Sequence, residues 1–182
     1  IDIYEISKDF SKLDKWFNDC LNNIKWHEGY IKIFGKEHKI PRLQAWYADK
    51  NINYTYSGKQ LIRNDWNSVL SEIKTDIELI TSNTFNSVLG NLYRNGSDSM
   101  GLHSDNEKEL GKNPTIASLS FGAPRNIHFR HNKTNLKKTI EMENGSLIIM
   151  GGSIQHNWKH QVPKTSKVKS TRINMTFRWI IG

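Results

Sequence analysis

Polar and apolar residues alternate along one segment near the C-terminal end of the chain, and this segment strongly restricts the fold. The alternation predicts a β-strand with one polar face, which carries Arg172, Asn174, Thr176 and Arg178. Two arginines that face a protein interior are costly unless they meet anions. A guanidinium can hold a carboxylate through two parallel hydrogen bonds. The pattern therefore favours a β-rich fold that encloses a site for a dicarboxylate.

A second feature is the pair His103 and Asp105, which are separated by one residue. On an extended segment their side chains share a face and can bind one ion together. A third ligand must come from elsewhere in the chain. The favoured candidate is His160, although His156 lies in the same segment and competes with it.

Two histidines and one carboxylate form the facial triad of non-haem Fe(II) oxygenases, which leaves coordination positions open for a cosubstrate and dioxygen. Together with the two arginines, such a centre points to 2-oxoglutarate, which is a dicarboxylate. The alternative is a β-sandwich binding module in which these histidines and arginines are incidental.

Composition limits the kinds of partner. The chain has 182 residues, which we expect to form a single domain, 1–182. Lys and Arg number 26 against 18 Asp and Glu, and the net charge of +8 favours a polyanionic partner, although a merely soluble basic surface has the same charge.

Cys20 is the single cysteine, which excludes an internal disulfide. We expect no membrane span and an intracellular monomer, cytoplasmic in a prokaryote or nuclear in a eukaryote.

Periodicity places helices first and strands afterwards. Apolar residues from Phe10 to Ile24 predict a helix over about residues 7–23, and a second helix is predicted to begin near Asn64 or Asp65. A β-hairpin is predicted over 29–40, with Phe34 beside its turn. Further strands are predicted over 85–93, 115–121, 127–130, 139–142, 146–150, 155–160 and 172–181. This order favours an α+β fold, an antiparallel sandwich or double-stranded β-helix (jelly roll) buttressed by N-terminal helices.

Aromatic residues are interleaved with basic residues between positions 42 and 59. Such a mixture suits base stacking and phosphate contacts on a nucleic-acid surface, although tyrosines in strands often simply pack. The residues concerned are Arg42, Trp46, Tyr47, Lys50, Tyr54, Tyr56 and Lys59.

These motifs together resemble the signature of the AlkB family of Fe(II)/2-oxoglutarate dioxygenases. The resemblance is carried by Asn91-x-Tyr93, His103-x-Asp105, His160 and the run 172–178, and Trp158 completes a Trp-x-His pattern with His160. It extends through 93–98, 116–122, 129–131 and 145–147 and covers most of the chain from about Phe34. The segments 33–36, 41–42, 44–45, 54–55 and 57–58 resemble the substrate lid of members that repair double-stranded DNA.

The resemblance implies a role for each matching residue. Iron would be bound by His103, Asp105 and His160. The 2-oxoglutarate pocket would be lined by Asn91, Tyr93, Arg172, Asn174, Thr176 and Arg178, with Arg172 and Tyr93 at the distal carboxylate and Arg178 nearer the metal. Residues from about 30 to 58 would form a hairpin lid that recognises the nucleotide. The substrate contacts would be Phe34, Gly35, Lys36, Tyr47, Asn106 and Glu107, although the relatives often have aspartate where Asn106 stands.

The implied function is oxidative repair of alkylated DNA. With Fe(II), 2-oxoglutarate and dioxygen, an N-alkyl group on a flipped base such as 1-methyladenine or 3-methylcytosine would be hydroxylated and released as formaldehyde. Duplex DNA is the expected substrate, with single-stranded DNA and RNA as others. The rival functions are the same chemistry on RNA or on a protein, and a nucleic-acid-binding module that has lost turnover.

Phe34 is expected to enter the duplex and fill the gap left by the flipped base. Replacing its ring in Phe34→Ala should therefore lower activity on methylated duplex DNA far more than activity on the same lesion in a single strand. The measurement is formaldehyde release from matched oligonucleotides. Equal losses on both substrates would contradict the wedge role.

Overall fold

The computed structural model describes residues 1–33, 35–56 and 59–181. The helices are α1 (Phe10–Asn23), α2 (Ser68–Thr81) and the short α3 (Ile154–Asn157). No helix in this part of the chain is long and apolar enough to cross a lipid bilayer. The strands are β1 (Asp2–Glu5), β2 (His27–Ile33), β3 (Lys36–Ala48), β4 (Thr55–Tyr56), β5 (Lys59–Gln60), β6 (Arg63–Asn64), β7 (Ser87–Tyr93), β8 (Met100–His103), β9 (Ile116–Gly122), β10 (Arg125–His131), β11 (Lys137–Met142), β12 (Ser146–Met150), β13 (Trp158–Val162) and β14 (Arg172–Arg178).

Most of these strands form a larger and a smaller sheet. The larger sheet has the order β1-β12-β9-β14-β7-β3-β2, and the smaller sheet has the order β11-β10-β13-β8. The pairs along both orders are antiparallel, whereas β6 adds to β3 in parallel. Neighbouring strands are often distant in sequence, as in double-sheet jelly rolls. The architecture is consistent with the jelly roll expected from the sequence.

The larger sheet has an apolar layer on each of its faces. Helices α1 and α2 pack on one face, where the buried side chains include Ile173, Met175 and Phe177 of β14. The other face packs against the smaller sheet around residues such as Phe129. Because side chains alternate along a strand, the polar residues of β14 point towards the smaller sheet. The pattern at 172–178 thus places a polar surface between the sheets.

Helix α1 begins at Phe10 rather than near residue 7. The carboxylate of Asp9 accepts hydrogen bonds from the backbone N–H groups of Ser11 and Lys12, at 3.0 and 3.3 Å, and so caps the helix. Phe10 lies on the predicted apolar stripe, yet it is 69% exposed, because the buried stripe begins one turn later at Leu13.

Helix α2 begins at Ser68, and Asn67 is its cap rather than Asn64 or Asp65. The Asn67 side chain accepts from the backbone N–H of Leu70 at 2.9 Å. Asn64 instead lies in β6, where its side-chain amide donates to the carbonyl of Trp46. The prediction was wrong here because sequence spacing alone does not distinguish neighbouring residues that can all cap a helix.

The strand predicted over 155–160 begins only at Trp158. Residues 154–157 form α3, which follows a turn at Gly152 with a φ of +60°. A left-handed backbone conformation is accessible to glycine without strain. The turn redirects the chain before β13 starts.

The segment 163–169, which follows β13, is anchored by buried contacts. Arg125 is 3% exposed and donates to the carbonyl of Pro163 at 2.6 Å. The backbone N–H of Thr165 donates to the carbonyl of Gly96 at 2.8 Å. A Cβ atom at position 96 would lie 2.1 Å from the carbonyl oxygen of Thr165, so only glycine allows this approach.

Leu13 and Phe10 offer a matched test of the two faces of α1, because Leu13 is 0% and Phe10 is 69% exposed. Leu13→Ala should lower the free energy of unfolding by about 2–5 kcal/mol, since it leaves a cavity beneath the helix. Phe10→Ala should change it by less than about 0.5 kcal/mol. Urea denaturation followed by circular dichroism measures both. Similar losses in the two variants would contradict this orientation of the helix.

Candidate active site

His103 and His160 face each other across neighbouring strands of the smaller sheet. They are direct register partners in the antiparallel pair β8 and β13. Their ring centroids are 4.3 Å apart, and the planes are inclined by 53°. The fold thus brings together two imidazoles that are far apart in sequence.

Asp105 completes a group with these two histidines. One potential ligand atom from each of the three residues lies within 4.8 Å of the other two. Asp105 is 1% exposed, and its Oδ1 atom has no hydrogen-bond partner among the described residues. Buried polar atoms are normally satisfied, so an unpaired carboxylate oxygen beside two imidazoles fits a metal ion. His156 is exposed and is not part of this group.

The orientation of His103 also suits metal binding. Its Nδ1 atom lies 2.8 Å from the carbonyl oxygen of Gly101. When Nδ1 carries the proton, it donates a hydrogen bond to that oxygen. The tautomer then leaves the lone pair on Nε2, which is 3.7 Å from Oδ1 of Asp105. Such a backbone contact commonly fixes the ring of a metal-binding histidine.

The surroundings set the protonation states of Asp105 and His160. Burial alone would raise the pKa of Asp105, but the nearby Arg178 guanidinium, with His103 and His160, lowers it to about 2. Burial, together with His103, lowers the pKa of His160 to about 4. A carboxylate and a neutral imidazole are the forms that bind a metal.

The two arginines of β14 have different partners. Arg178 donates from Nη2 to Oδ2 of Asp105 at 3.0 Å, so it meets an anion that belongs to the chain itself. Arg172 lies beside Tyr93, with 5.1 Å between its guanidinium carbon and the ring centroid, and donates to Ser120 Oγ. The pair is therefore not a symmetrical clamp for one dicarboxylate.

Most of the side chains predicted to bind 2-oxoglutarate line one cavity with the histidines and Asp105. These cavity residues are Asn91, Tyr93, Asn174, Thr176 and Arg178. Apolar walls are supplied by Ile127, Phe129, Ile148, Met150 and Val162. Arg172 is not among the lining residues, but it is 1% exposed and its Nε and Nη1 atoms lack hydrogen-bond partners in the part of the chain described. Unpaired buried donors beside Tyr93, which lines this cavity, fit a carboxylate ligand.

Of the predicted substrate contacts, Phe34 lies outside the described residues. Gly35, with a φ of +78°, and Lys36 are exposed at the turn between β2 and β3. Asn106 is exposed and Glu107 is half-buried, immediately after Asp105. Their contacts with a base remain predictions.

The structure corrects the predicted role of Tyr47 as a substrate contact. It is 3% exposed and belongs to the apolar layer under the helices, where its hydroxyl accepts from the backbone N–H of Lys25 at 2.9 Å. Its neighbour Trp46 lies in the layer between the sheets and contacts Tyr54, with 6.0 Å between ring centroids. Consecutive strand residues face opposite sides, so the structure does not bring Tyr47 to the site.

The sequence did not predict the supporting contacts that three residues make around the site. Arg42 is buried and donates from Nε to Oδ1 of Asn91 at 2.7 Å. Gln155 accepts a hydrogen bond from the backbone of Asp105. Tyr54 is buried beside Glu107, whose carboxyl pKa is raised by burial. Only Arg42 and Tyr54 carried a sequence signal, since both lie in segments that resemble the substrate lid.

Comparison with known proteins agrees with this geometry. Residues 6–178 match the family model of the 2OG-Fe(II) oxygenase superfamily. The chain is 36% identical to the DNA oxidative demethylase ALKBH2 of Bos taurus and to that of Homo sapiens, each over 94% of this chain. It is 43% identical to the alpha-ketoglutarate-dependent dioxygenase alkB homolog 3 of Homo sapiens over 79% of this chain. It spans 66%, 70% and 53% of the lengths of these proteins, respectively.

The fold is also similar to the solved structure of OsALKBH1. The TM-score is 0.64, the alignment covers 97% of this chain and 96% of that chain, and the sequences are 18% identical. At that identity the similarity supports the fold alone, whereas the superfamily match and the relatives above extend over nearly the whole sequence. The chain therefore belongs to the AlkB family of the 2OG-Fe(II) oxygenase superfamily, the dioxygenases that use Fe(II), 2-oxoglutarate and dioxygen.

Proposed function

We propose that this protein removes N-alkyl groups from DNA bases by oxidation. The observation that carries the proposal is the convergence of His103, Asp105 and His160 beside a polar cavity, in a chain 36% identical to proteins named DNA oxidative demethylases. His103, Asp105 and His160 are the proposed iron ligands. Bound Fe(II), with 2-oxoglutarate and dioxygen, would supply the oxidation that hydroxylates the alkyl carbon, after which formaldehyde and the unmodified base are released.

Arg178 orients the carboxylate of Asp105, which is a proposed iron ligand. By donating to Oδ2 it balances the charge of the buried carboxylate and leaves Oδ1 directed towards the imidazoles. The ion pair also fixes the rotamer of Asp105, because both side chains are less than 5% exposed. The ligand set is thus held in place by the protein before an ion arrives.

The cosubstrate is proposed to bind along the polar face of β14. Arg172 would pair with the distal carboxylate, since its Nε and Nη1 donors are buried and lack partners among the described residues. Tyr93 lies against the same guanidinium. Asn91 is held by Arg42, and Asn174 donates to Ser118 Oγ at 2.8 Å, so neither amide is free to rotate. Apolar walls would keep water away from the reacting atoms.

A groove beside His103 is the proposed entry for the nucleotide. It runs between β2 and β3 on one side and β8 on the other, with Tyr30, Pro41, Leu61 and Leu102 among its walls. Residues from about 30 to 58 would act as the lid over this groove. Glu107, which is half-buried and lies two residues after Asp105, is proposed to contact the edge of a flipped base.

A row of cations on the smaller sheet is a proposed contact for the phosphate backbone of the nucleic acid. Arg130 on β10 is the register partner of Lys137 on β11 and of Lys159 on β13, and all three are exposed. Like charges placed directly opposite each other destabilise a sheet. Within the described residues none of the three forms a salt bridge, so a phosphate backbone would relieve their repulsion. Because side chains alternate along a strand, the row faces away from the cavity, on the outer surface of the smaller sheet, whereas the neighbouring pair Phe129 and His160 faces inward.

The proposed activity is tested by formaldehyde release. Protein purified without oxygen and supplied with Fe(II) and 2-oxoglutarate should release formaldehyde from 1-methyladenine in duplex DNA faster than from the same lesion in single-stranded DNA or RNA. His160→Ala should abolish release and lower Fe(II) affinity, because it removes a ligand. His156→Ala is the matched control and should retain activity, since His156 is exposed and outside the ligand group.

Other outcomes would separate the rival functions. Faster turnover on RNA than on DNA would show that RNA is the main substrate. Succinate formation without base repair would point to a different substrate, such as a protein side chain. If neither succinate nor formaldehyde forms, the protein is a binding module without turnover. Loss of activity in His156→Ala but not in His160→Ala would show that the third ligand was assigned wrongly.

The cation row has its own test. Lys137→Gln with Lys159→Gln should weaken duplex binding and reduce the slope of log affinity against log salt by about 2, because about one ion is released per phosphate contact. Lys8→Gln with Lys15→Gln is the control, since it removes the same charge from α1 and the residues just before it, on the opposite side of the larger sheet. Fluorescence anisotropy over a salt series measures both. Equal slopes in the two double variants would contradict a role for the row.

A further inference from the structure

The backbone of Asp105 lies outside the strands, yet its N–H group is not left without a partner. Strand β8 ends at His103, and Asp105 follows in a segment that is neither strand nor helix. Its backbone N–H donates to Oε1 of Gln155 at 2.9 Å, in a buried environment. A side chain 50 positions away therefore supplies an acceptor that the sheet does not.

Gln155 is itself held in place. It is 1% exposed and lies on α3, in the connection between β12 and β13. Its Nε2 atom lies 3.7 Å from the sulfur of Met150, the last residue of β12. The short helix that carries Gln155 leads directly into the strand that carries His160. The connection between β12 and β13 therefore contacts Asp105 and also positions His160.

Asp105 is restrained from two sides. Arg178 holds its carboxylate through Oδ2, and Gln155 holds its backbone. Restraint of the carboxylate alone would leave the position of the Cα atom free to move with the segment 104–107. Together the two contacts restrain both the backbone and the carboxylate of Asp105, whose Oδ1 lies 3.7 Å from Nε2 of His103.

We propose that Gln155 is a positioning residue for the metal centre, and that its side-chain oxygen fixes the backbone of Asp105. This role rests on the proposed function of Asp105 as an iron ligand. Gln155 itself touches neither the ion nor the substrate. Loss of a group that orients a metal ligand typically lowers metal affinity about 10- to 100-fold.

The first experiment compares three variants by calorimetric titration with Mn²⁺, which replaces Fe(II) and is stable in air. Gln155→Met has nearly the same volume but no acceptor, and its affinity should fall about 10- to 100-fold. Gln155→Glu keeps an oxygen at the acceptor position, so its affinity should fall less than that of Gln155→Met. His156→Gln changes the next residue on the same helix, outside the metal group, and should not alter the affinity.

The second experiment measures hydrogen exchange of the Asp105 amide in the metal-free protein. Exchange should be slow in the unsubstituted protein and in His156→Gln, and fast in Gln155→Met, because only the last lacks the acceptor. Fast exchange in the unsubstituted protein would overturn the proposal even if Gln155→Met fails to fold. Equal Mn²⁺ affinities for Gln155→Met and the unsubstituted protein would also overturn it. If the unsubstituted protein binds no Mn²⁺ while the amide is protected, the iron-ligand assignment fails and the backbone restraint stands.

Discussion

The antiparallel pairing of β8 with β13 fixes the distance between His103 and His160, and the rest of the site is arranged around these two rings. A shift of one residue in this register would turn one histidine to the outer face of the smaller sheet. The register is stabilised by the apolar side chains between the sheets, such as Phe129, whose ring lies 5.7 Å from that of His160. Packing in the core therefore determines the distance between these two imidazoles.

The buried pair of Arg178 and Asp105 contributes more to this geometry than to stability. Transfer of two charges from water into a protein interior costs several kcal/mol for each ion, and their attraction often does no more than offset that cost. Removing either partner would leave an uncompensated buried charge. The pair keeps the carboxylate of Asp105 ionised and holds it beside the imidazoles of His103 and His160, in the polar part of the space between the sheets.

The sequence was sufficient to predict the parts of the site that follow a simple period. The alternation along β14 predicted a polar face, and the spacing of His103 and Asp105 predicted that both could approach one ion; the structure brings these residues together with His160. Tyr47 was predicted wrongly because β3 is covered by apolar layers on both faces. In such a strand, the sequence does not show which of two neighbouring aromatic residues faces the site. Gln155 could not be predicted, since its role depends on a single long-range contact with a backbone group.

The close approach at Gly96 has a consequence for the segment 163–169. This segment is held by main-chain groups and by Arg125, whereas none of its lysine side chains takes part in the anchoring contacts seen among the described residues. Its path over the surface is thus independent of the charges it carries. Substitution of Lys164, Lys167 or Lys169 would therefore change the electrostatic potential of this surface without altering the main-chain course that these contacts hold.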